Sequence, residues 1–261
     1  MTKTSLIVPV LNESLTILSC LENLLSAVSQ SDSKVDYQIV VSDAGSTDDT
    51  VAKVKTMISS NSIISLKEFT YSGGKSIGKT ILQAVEGINF DRIVICPADV
   101  RLSAECLHQL NTLPLSACGG FLKRYDHQSF IVKIYEFIIN NIRTCTLKNL
   151  VWTNAFFLSR EAAQLIPTNG FMEDVQLSDA IKAHKLSLHI LKGPVEVSFR
   201  RYVHDGILYR ILANLLIIGL YRIGYRNVQV LKKIYSFNFR RKAGPVDSSS
   251  TGPSERRQQD S

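Results

Sequence analysis

Short apolar runs alternate with amphipathic stretches along the first hundred residues of the chain. The runs at residues 5–10, 37–41, 63–69 and 93–99 have the length of strands, and the segments between them repeat apolar residues at intervals of three and four. The short runs are typical of strands, and the longer period is typical of helices that bury one face. Repeated β-α units predict an α/β fold with a single, mostly parallel, doubly wound sheet flanked by helices.

The apolar run Ile93–Asp99 is the stretch around which the sequence is organised. It stops at Pro97 and delivers one carboxylate, Asp99. Ligands bind at the carboxyl ends of the strands in open α/β sheets, so Asp99 is a candidate ligand-binding residue. A lone Asp after a strand can equally cap the helix that begins near Ser103. The pattern by itself leaves both interpretations open.

The second half of the chain continues the alternation and ends in a helical segment. We predict strands at residues 119–125, 151–158, 186–191 and 195–199, and helices at residues 130–142, 160–165 and 173–184. The apolar stretch at residues 207–223 contains Arg210, Asn214 and Arg222, which excludes an ordinary membrane span. A core helix and a helix lying in a membrane interface both remain open for it.

Polar residues precede the first two predicted helices. Asn12 stands before the first helix, and Asp48 and Asp49 stand before the second. Asn and Asp side chains accept hydrogen bonds from the free amides of a helix N-terminus, and acidic residues are favoured in a first turn. We therefore predict that Asn12 caps the first helix and that the two aspartates cap the second.

One domain accounts for most of the chain. No linker interrupts the pattern before the C-terminus, so we assign residues 1–242 to one domain and predict that residues 243–261, poor in apolar residues, are disordered. The five cysteines contain no Cys-x-x-Cys pair, which is typical of reduced residues in a cytosolic protein and argues against a zinc site. A strand begins within a few residues of Met1, which predicts no signal peptide.

Positive charge is concentrated late in the sequence. The formal net charge is +7, and from Arg200 to Lys242 ten basic residues face almost no acids apart from Asp205. This asymmetry favours a phosphate-bearing substrate or a membrane surface as partner, rather than a nucleic acid. We expect a cytoplasmic protein, either free or peripheral to the inner face of a membrane through its basic C-terminal helix.

One short motif predicts a phosphate-binding loop. Gly73-x-x-x-x-Gly78-Lys79-Thr80 matches the P-loop expression, with a predicted strand before it and a helix after it. In this interpretation Asp99 is the Walker-B carboxylate and the protein is an NTPase or a kinase. Two complete β-α units precede the motif, whereas P-loop domains normally place it after the first strand. The expression is also short enough to match by chance, and it stays an alternative.

Four stretches occur in a fixed order along the chain: Ser5–Glu13, Val40–Asp48, the strand ending at Asp99, and Phe171–Ser178. Together they resemble the family 2 glycosyltransferases of the GT-A fold. That family shows an opening Pro-x-x-Asn-Glu, an Asp-x-Gly-Ser-x-Asp nucleotide loop, an Asp-x-Asp-type metal site and a Glu-Asp base motif. The resemblance spans about residues 4–240 and implies a GT-A enzyme that moves a sugar from a nucleotide-diphosphate donor to an unknown hydroxyl acceptor.

Three later segments resemble one branch of that family. They are Met172–Ser178, Ser198–Tyr202 with Gly206, and the closing run at residues 221–235. These segments are similar to a small bacterial-type branch that is often labelled as arsenosugar-biosynthesis glycosyltransferases. The similarity points to the branch and does not assign the substrate.

The resemblance implies a nucleotide pocket at the ends of the first two strands. Asp43 would accept a hydrogen bond from a uracil-type base or a ribose, which implies a UDP-linked donor, and Pro9, Leu11 and Glu13 would line the same pocket. The residues alone allow Asp43 a second role, which is to organise the turn at Gly45.

Basic residues are assigned to the phosphates of the donor. Lys75 matches a position where the family usually carries arginine near the diphosphate, and Lys79 is the second choice. The loop departs from the Arg-x-x-Gln-Met-Asn pattern of the branch, because Gly-Lys-Thr stands at residues 78–80. Arg200 and Arg201 resemble a basic-aromatic stretch that either clamps the leaving diphosphate or forms a solvated face.

Asp99 is the metal ligand that the resemblance implies. It would hold Mg²⁺ or Mn²⁺, hard cations that bind carboxylate and diphosphate oxygens and act as Lewis acids on the departing phosphate. Pro97 stands where the usual motif has its first acid or His. Either the diphosphate supplies most of the ligands, or basic residues carry more of the charge. A non-catalytic sugar-nucleotide-binding protein is therefore a further alternative.

Glu173 and Asp174 open a predicted helix. Two acids there are also favoured by the helix dipole. In the family the Asp of this pair is the general base. Successive helix residues point in different directions, so only one of the two can face the acceptor while the other packs or pairs. We assign the base to Asp174, which implies in-line attack with inversion at the anomeric carbon.

Overall fold

The computed structural model describes residues 1–71, 76–127, 129–225 and 227–236. Its first half repeats the predicted strand-helix unit. Four strands pair in parallel in the order β3-β2-β1-β4, and helices connect them in sequence: β1 Thr2–Val10, α1 Ile17–Ser29, β2 Val35–Asp43, α2 Thr50–Ile58, β3 Ile64–Glu68, α3 Ile77–Val85 and β4 Arg92–Ile95.

The second half extends the same sheet. Its elements are β5 Val100–Arg101, α4 Ala104–Asn111, β6 Cys118–Tyr125, α5 Phe130–Ile138, a π-helix Ile139–Thr146, a 3₁₀-helix Trp152–Asn154, β7 Phe157–Ser159, α6 Arg160–Ala163, α7 Glu173–Ala183 and β8 Leu188–Val197. β7 runs antiparallel to β4 and β6, β8 runs parallel to β6, and β5 runs antiparallel to β8. The described residues thus form one eight-stranded, mostly parallel sheet in the order β3-β2-β1-β4-β7-β6-β8-β5.

Burial explains why the early strands are continuous apolar runs. Leu6, Ile7 and Val8 of β1 and the neighbouring residues 39–41 of β2 have no exposed surface. Strands covered by helices on both faces need apolar residues at every position, whereas a half-exposed strand alternates. The predicted α/β architecture is therefore confirmed.

The predicted strand at residues 93–99 is shorter than expected. β4 ends at Ile95, and Asp99 lies in a turn that the Val100 amide closes by donating to the Pro97 carbonyl at 2.9 Å. Pro97 has no N–H group and cannot extend the ladder. Asp99 consequently stands on a turn between two strands and not at the end of one.

The predicted strand at residues 151–158 is also wrong in its first half. The chain forms the 3₁₀-helix Trp152–Asn154, and the strand starts only at Phe157. The Asn154 side chain decides this, since it accepts from the Val151 amide at 3.0 Å and donates to the Phe121 carbonyl at 2.7 Å. A side chain that bonds its own backbone in this way competes with strand pairing.

Two other predicted boundaries change. The predicted helix at residues 130–142 becomes α5 followed directly by the π-helix, which ends at Thr146. The two strands predicted at residues 186–191 and 195–199 are a single strand, β8, which pairs with β6 across a register shift between Phe121 and Lys123. The shift lets one strand pass Gly193 and Pro194 without a break.

The chain divides into two compact units, Met1–Arg200 and Arg201–Ser261. The second contains α9 Ile207–Arg222 and α10 Val228–Ser236, and α8 Arg200–Asp205 spans the division. None of the helices in the described ranges is long and apolar enough to cross a bilayer. The tail predicted to be disordered, residues 243–261, lies outside the described residues, and the assignment of residues 1–242 to one domain stays a prediction.

Candidate active site

The loops that follow β1 and β2 are tied to each other. The Asn12 amide donates to Ser46 Oγ at 2.8 Å, and Asn12 Oδ1 accepts from the Thr47 amide at 2.8 Å. The prediction that Asn12 caps α1 is therefore wrong, since its side chain serves the neighbouring loop and Thr16 occupies the N-cap position. Asn12 has a φ of 55°, a left-handed conformation that Asn tolerates better than most residues.

Asp43 is the buried end of β2, with 2% of its surface exposed. Its Oδ2 accepts from the amides of Gly45 and Ser46, both at 2.9 Å, and its Oδ1 accepts from the Ser46 hydroxyl. Gly45 has a φ of 86°, which this tight turn requires of a glycine. Asp43 therefore organises the turn, and a carboxylate with three such bonds retains room for one further donor.

Asp48 fixes the same pair of loops from the other side. It accepts from the Thr50 amide at 3.0 Å, from the Thr50 hydroxyl, and from the Ser14 amide at 3.1 Å. These hydrogen bonds, that of the Thr50 hydroxyl above all, hold the pKa of Asp48 well below its usual range. Asp48 thus bonds the first turn of α2, as predicted, whereas Asp49 occupies the N-cap position without a side-chain cap bond.

The other residues predicted for the nucleotide pocket lie beside these loops. Pro9 pairs with Ser42 in the sheet, and both Pro9 and Leu11 are half-buried at the end of β1. Glu13 Oε2 accepts from the Thr16 hydroxyl at 2.9 Å and lies 3.8 Å from Arg200 Nη2. β1 and β2 therefore bring Pro9, Leu11, Glu13 and Asp43 to one edge of the sheet, and Arg200 reaches that edge.

Glu173 joins α7 to α3. Its Oε2 accepts from the Gly78 amide at 2.9 Å, and its Oε1 accepts from the Gly170 amide at 2.7 Å and from the Ser76 hydroxyl. With 4% of its surface exposed, the side chain lies at the N-terminus of α3, where the helix dipole favours an anion. Both carboxylate oxygens of Glu173 are thus engaged inside the protein.

The same contacts explain the Gly-Lys-Thr sequence without a P-loop. A Cβ on Gly78 would stand 1.8 Å from the Pro167 carbonyl oxygen, so this position requires glycine for close packing. The Thr80 hydroxyl donates to the Ser76 carbonyl at 2.9 Å and contacts the Tyr71 hydroxyl at 3.0 Å. Since the carboxylate of Glu173 already fills the N-terminus of α3, the P-loop interpretation is not supported. Gly73 itself lies outside the described residues.

Asp174 faces a different environment from Glu173. Its Oδ1 accepts from the Val175 amide at 2.8 Å, and its Oδ2 accepts from the Trp152 amide at 3.4 Å. Burial raises the pKa of Asp174, and the charge of Arg143, these hydrogen bonds and the charge of Lys123 act in the opposite direction. Asp174 is thus a half-buried carboxylate that accepts two hydrogen bonds from described residues, with Arg143 and Lys123 acting on it electrostatically.

The sequence interpretation missed Lys123. This residue of β6 is only 3% exposed. Burial lowers the pKa of its amine well below the usual range and the charge of Arg143 lowers it further, whereas Asp174 and Asp99 raise it. Strand alternation could have found it, because Lys123 occupies the same face of β6 as the buried Phe121 and Tyr125. The fold therefore brings a buried lysine within electrostatic reach of both Asp99 and Asp174.

Asp99 is half-buried on its turn, where its carbonyl accepts from the Ser198 amide at 2.9 Å. Burial raises the pKa of the Cys20 thiol, and the charges of Asp99 and Glu13 raise it further, so both carboxylates lie within electrostatic reach of Cys20. Among the described residues no three His, Cys, Asp or Glu side chains form a metal-binding group. Mg²⁺ commonly takes one or two carboxylates and completes its shell with phosphates and water. Asp99 fits such a substrate-completed site and no larger one.

Comparison with known proteins identifies the chain. The model of glycosyl transferase family 2 matches residues 5–163, more than half of the sequence. The chain belongs to glycosyl transferase family 2. It is therefore a glycosyltransferase, and the resemblance found in the sequence is confirmed at the level of the family. No curated protein matches the full sequence significantly.

Solved structures support the GT-A fold of this glycosyltransferase. The mannosyltransferase PcManGT of Pyrobaculum calidifontis, in complex with GDP-Man and Mn²⁺, is 17% identical with a TM-score of 0.58, over 90% of this chain and 70% of that one. TarS of S. aureus is 17% identical with a TM-score of 0.55, over 90% and 69%. Glucosyl-3-phosphoglycerate synthase of Mycobacterium tuberculosis, in complex with Mg²⁺ and UDP, is 17% identical with a TM-score of 0.53, over 87% and 81%.

The remaining predicted residues of the glycosyltransferase are more scattered. Lys79 is exposed on α3, and Lys75 lies outside the described residues. Arg200 begins α8, and Arg201 follows it in that helix, with its side chain outside the described part of the structure. Of the basic residues predicted to bind phosphate, Arg200 is the one that the described contacts join to the edge of the sheet beside β1 and β2, through its ion pair with Glu13.

Proposed function

We propose that this glycosyltransferase moves a sugar from a UDP-linked donor to a hydroxyl acceptor with inversion at the anomeric carbon. One observation carries the proposal: burial raises the pKa of Asp174, Arg143 and Lys123 act on it electrostatically, and within the described part of the chain its side chain accepts two hydrogen bonds. A carboxylate has about four acceptor sites, so Asp174 can still accept a proton from a hydroxyl.

Asp174 acts as the general base in this proposal. A raised pKa makes a carboxylate a stronger base. The charges of Arg143 and Lys123 lower the pKa of Asp174 and so favour the ionised form that can accept the proton. The acceptor hydroxyl gives its proton to Asp174 and attacks the anomeric carbon from the side opposite the leaving diphosphate. Attack along this line inverts the configuration.

Glu173 positions Asp174 and does not itself exchange protons with the substrate. Its two oxygens bind the N-terminus of α3 and the Gly170 amide, which fixes the first turn of α7. The adjacent acids of the motif therefore divide the work, with one anchoring the helix and the other facing the acceptor. This division agrees with the earlier argument that only one of them can point to the substrate.

The donor lies along the edge formed by the β1 and β2 loops. Asp43 has room for one further donor, which the N–H group of a uracil base can supply. Pro9, Leu11 and Glu13 line the same edge, and Arg200 reaches it near the diphosphate. Lys75, Lys79 and Arg201 are further phosphate contacts in this proposal, on the strength of the family motif alone.

Asp99 holds a divalent cation, Mg²⁺ or Mn²⁺, together with the diphosphate. The solved relatives with Mg²⁺ and UDP, or with Mn²⁺ and GDP-Man, support this assignment. When bound, the cation would neutralise charge on the leaving diphosphate. Lys123 is buried within electrostatic reach of Asp99, and the charges of Asp99 and Asp174 favour its protonated form, which would add positive charge at the same place.

The branch assignment is the finest part of the proposal. The segments Met172–Ser178 and Ser198–Tyr202 favour the small branch labelled as arsenosugar-biosynthesis glycosyltransferases. The family match covers residues 5–163, so both of these segments lie outside it. The acceptor is assigned no further than a hydroxyl group.

Thermal unfolding with nucleotides tests the donor assignment. UDP with Mn²⁺ should raise the unfolding temperature more than UDP alone, GDP or ATP, because ligand binding to the folded state stabilises it. Asp99→Asn should abolish the extra effect of Mn²⁺ while a shift with UDP remains. Stabilisation by ATP alone, lost in Lys79→Ala, would overturn the proposal. If UDP binds but no UDP-sugar is hydrolysed or transferred, the non-catalytic alternative is favoured. That alternative is suggested by Pro97, which stands where the usual metal motif has its first acid or His.

A further inference from the structure

Helix α5, the π-helix after it and the adjoining Leu147 expose six large apolar side chains, of which Phe130, Ile134 and Phe137 are spaced to share one helix face. We call the surface that these six form the α5 face, and it consists of Phe130 (77% exposed), Ile131 (52%), Ile134 (45%), Phe137 (65%), Ile142 (53%) and Leu147 (54%). Single exposed apolar residues are normal on protein surfaces, but a contiguous apolar patch marks a site of interaction. The α5 face is therefore a candidate interaction site.

The opposite side of the same segment is firmly attached to the first unit. Val132, Tyr135 and Ile139 are 3% exposed or less, and the Tyr135 ring stacks on Tyr125 with centroids 5.9 Å apart. Glu136 Oε2 also accepts from the Tyr125 amide at 2.9 Å. The segment is thus fixed by its buried side, and the exposed side is a true outer surface.

The charges around the α5 face are positive. Between residues 129 and 148 the chain carries Lys133, Arg143 and Lys148, and Glu136 is the one acid of that segment. Glu136 turns inward to the Tyr125 amide, whereas Lys133 and Lys148 are exposed. An apolar helix face with basic residues at its rim matches an anionic lipid surface, into which the apolar side chains insert while lysines reach the headgroups. A second copy of this face would bring like charges together.

We propose that the α5 face docks the enzyme on a membrane surface that contains anionic lipids. The sequence interpretation expected membrane contact only through the basic C-terminal helix. The structure adds a second element of the same chemistry in the unit that carries Asp174. The inference goes beyond the proposed function, since docking on lipid does not depend on which sugar is transferred.

Helix α9 supports the lipid occupant independently. It exposes Leu208 (61%), Leu212 (57%), Leu215 (43%) and Leu216 (51%) on one side, while Ala213 and Ile217 are buried on the other. From Gly206 to Ser236 the sequence has no acidic residue. Two separate units of one chain thus each present an apolar helix face in a basic, acid-poor segment. A lipid surface accepts both, because it requires no shape complementarity.

The π-helix connects the α5 face to the candidate base. Ile142 belongs to the exposed face, and the next residue, Arg143, acts electrostatically on Asp174 and Lys123. Docking through this segment would bring the lipid surface to the same element that modulates the pKa of Asp174.

Cys145 offers a probe at this surface. It is the exposed one of the five free cysteines, and the other four are buried. A polarity-sensitive fluorophore on Cys145 of the full chain should increase in emission and shift to the blue with vesicles of phosphatidylcholine and phosphatidylglycerol, and should not respond to phosphatidylcholine alone. Added salt should weaken the response, because screening reduces the attraction to the headgroups.

Paired variants complete the test. The double variant Phe130→Ser with Phe137→Ser should reduce the vesicle-dependent emission change of the Cys145 fluorophore at least tenfold. The matched double variant at exposed apolar residues elsewhere, Leu15→Ser with Leu115→Ser, should leave that change as it is in the wild type. Thermal unfolding with and without UDP verifies that each variant is folded and separates this test from that of the proposed function. Co-sedimentation with vesicles without any change at Cys145 would overturn the α5 face as the docking site. A dimer in light scattering that the Phe130 and Phe137 changes abolish, without a lipid response, would also overturn it.

Discussion

The carboxylates in the loops after β1 and β2 have a different environment from that of Asp174. Asp43 and Asp48 each accept three hydrogen bonds from the loops themselves, and these bonds hold the pKa of Asp48 well below its usual range. Asp174 accepts two, one of them 3.4 Å long, and burial raises its pKa. Lys123, which acts electrostatically on Asp174, is a buried lysine, and burial lowers its pKa.

In the proposed function the first region holds the ligand and the second moves a proton. A carboxylate that accepts three hydrogen bonds from its own loops is held in place by them, so it preserves the shape of the loop. A desolvated carboxylate with open acceptor sites can take up a proton near the operating pH. The two regions predict different outcomes for substitutions, and the following variants test the comparison in order of expected effect.

Asp174→Asn should give the largest effect. The amide cannot accept the proton of the acceptor, so we expect transfer to fall by about 10²- to 10⁴-fold, the usual contribution of a general base. UDP should still bind, because the loops after β1 and β2 are unchanged. The rate of transfer is measured as UDP released from a UDP-sugar, and the affinity for UDP is measured by calorimetric titration.

Glu173→Gln is the matched control for that substitution. It removes the neighbouring charge and leaves a donor where Glu173 accepts, so the folded state should lose about 1–3 kcal/mol of stability in urea unfolding. Turnover by Asp174→Asn at the wild-type rate would refute the base assignment. A loss of transfer in Glu173→Gln as large as that in Asp174→Asn, at unchanged stability, would reverse the two roles.

Lys123→Met should shift the pH dependence of the enzyme. Lys123 lowers the pKa of Asp174, so its removal raises that pKa further, and the acid limb of kcat/KM against pH should move to higher pH because the base must be deprotonated. The lowered pKa of Lys123 in the folded state also has a consequence for stability. Between that pKa and the ordinary one the unfolded chain binds more protons, so wild-type stability rises with pH there, and Lys123→Met should remove the rise.

Arg124→Met provides the comparison for this variant. Arg124 is the next residue of β6, and its exposed side chain carries the same charge. We expect no displacement of the acid limb for it, because exposed charges are screened. If Lys123→Met leaves the pH profile where it was, or if Arg124→Met shifts it equally, Lys123 does not act on the base.

Asn12→Ala should have the smallest effect, confined to ligand holding. It removes the hydrogen bond to the Thr47 amide and puts alanine at a φ of 55°, which together should cost about 2 kcal/mol. Asn12→Gly loses the bond without the strain and should cost about half as much. Both should weaken UDP binding in titration with little change in kcat. A fall in kcat at constant UDP affinity would mean that the two regions do not divide their tasks in this way.

Some of the site was predictable because it depends on local sequence. Asp43 ends a buried strand and starts a glycine turn, and both features are visible in the residues at 37–45. Other parts depend on contacts between distant segments. Asn12 was predicted to cap its own helix, but its partner is Thr47 on another loop, and no local pattern contains that pairing. The strand predicted at residues 151–158 failed for the same reason, since the Phe121 carbonyl holds Asn154 in the 3₁₀-helix.

The sequence by itself determined the fold class, the family and the residues of its motifs. Apolar runs and their spacing suffice for the fold class, because burial on both faces of a sheet leaves its mark on every position of a strand. The family and its motif residues came from the resemblance of four ordered stretches. Only the tertiary structure showed that Glu173 and Asp174 have different contacts and that Lys123 lies within electrostatic reach of Asp174. Neighbouring acids are alike in a sequence, and they differ once one reaches the N-terminus of α3 while burial raises the pKa of the other. The electrostatics of a buried site come from groups far apart in the chain, so they exist only in the folded protein.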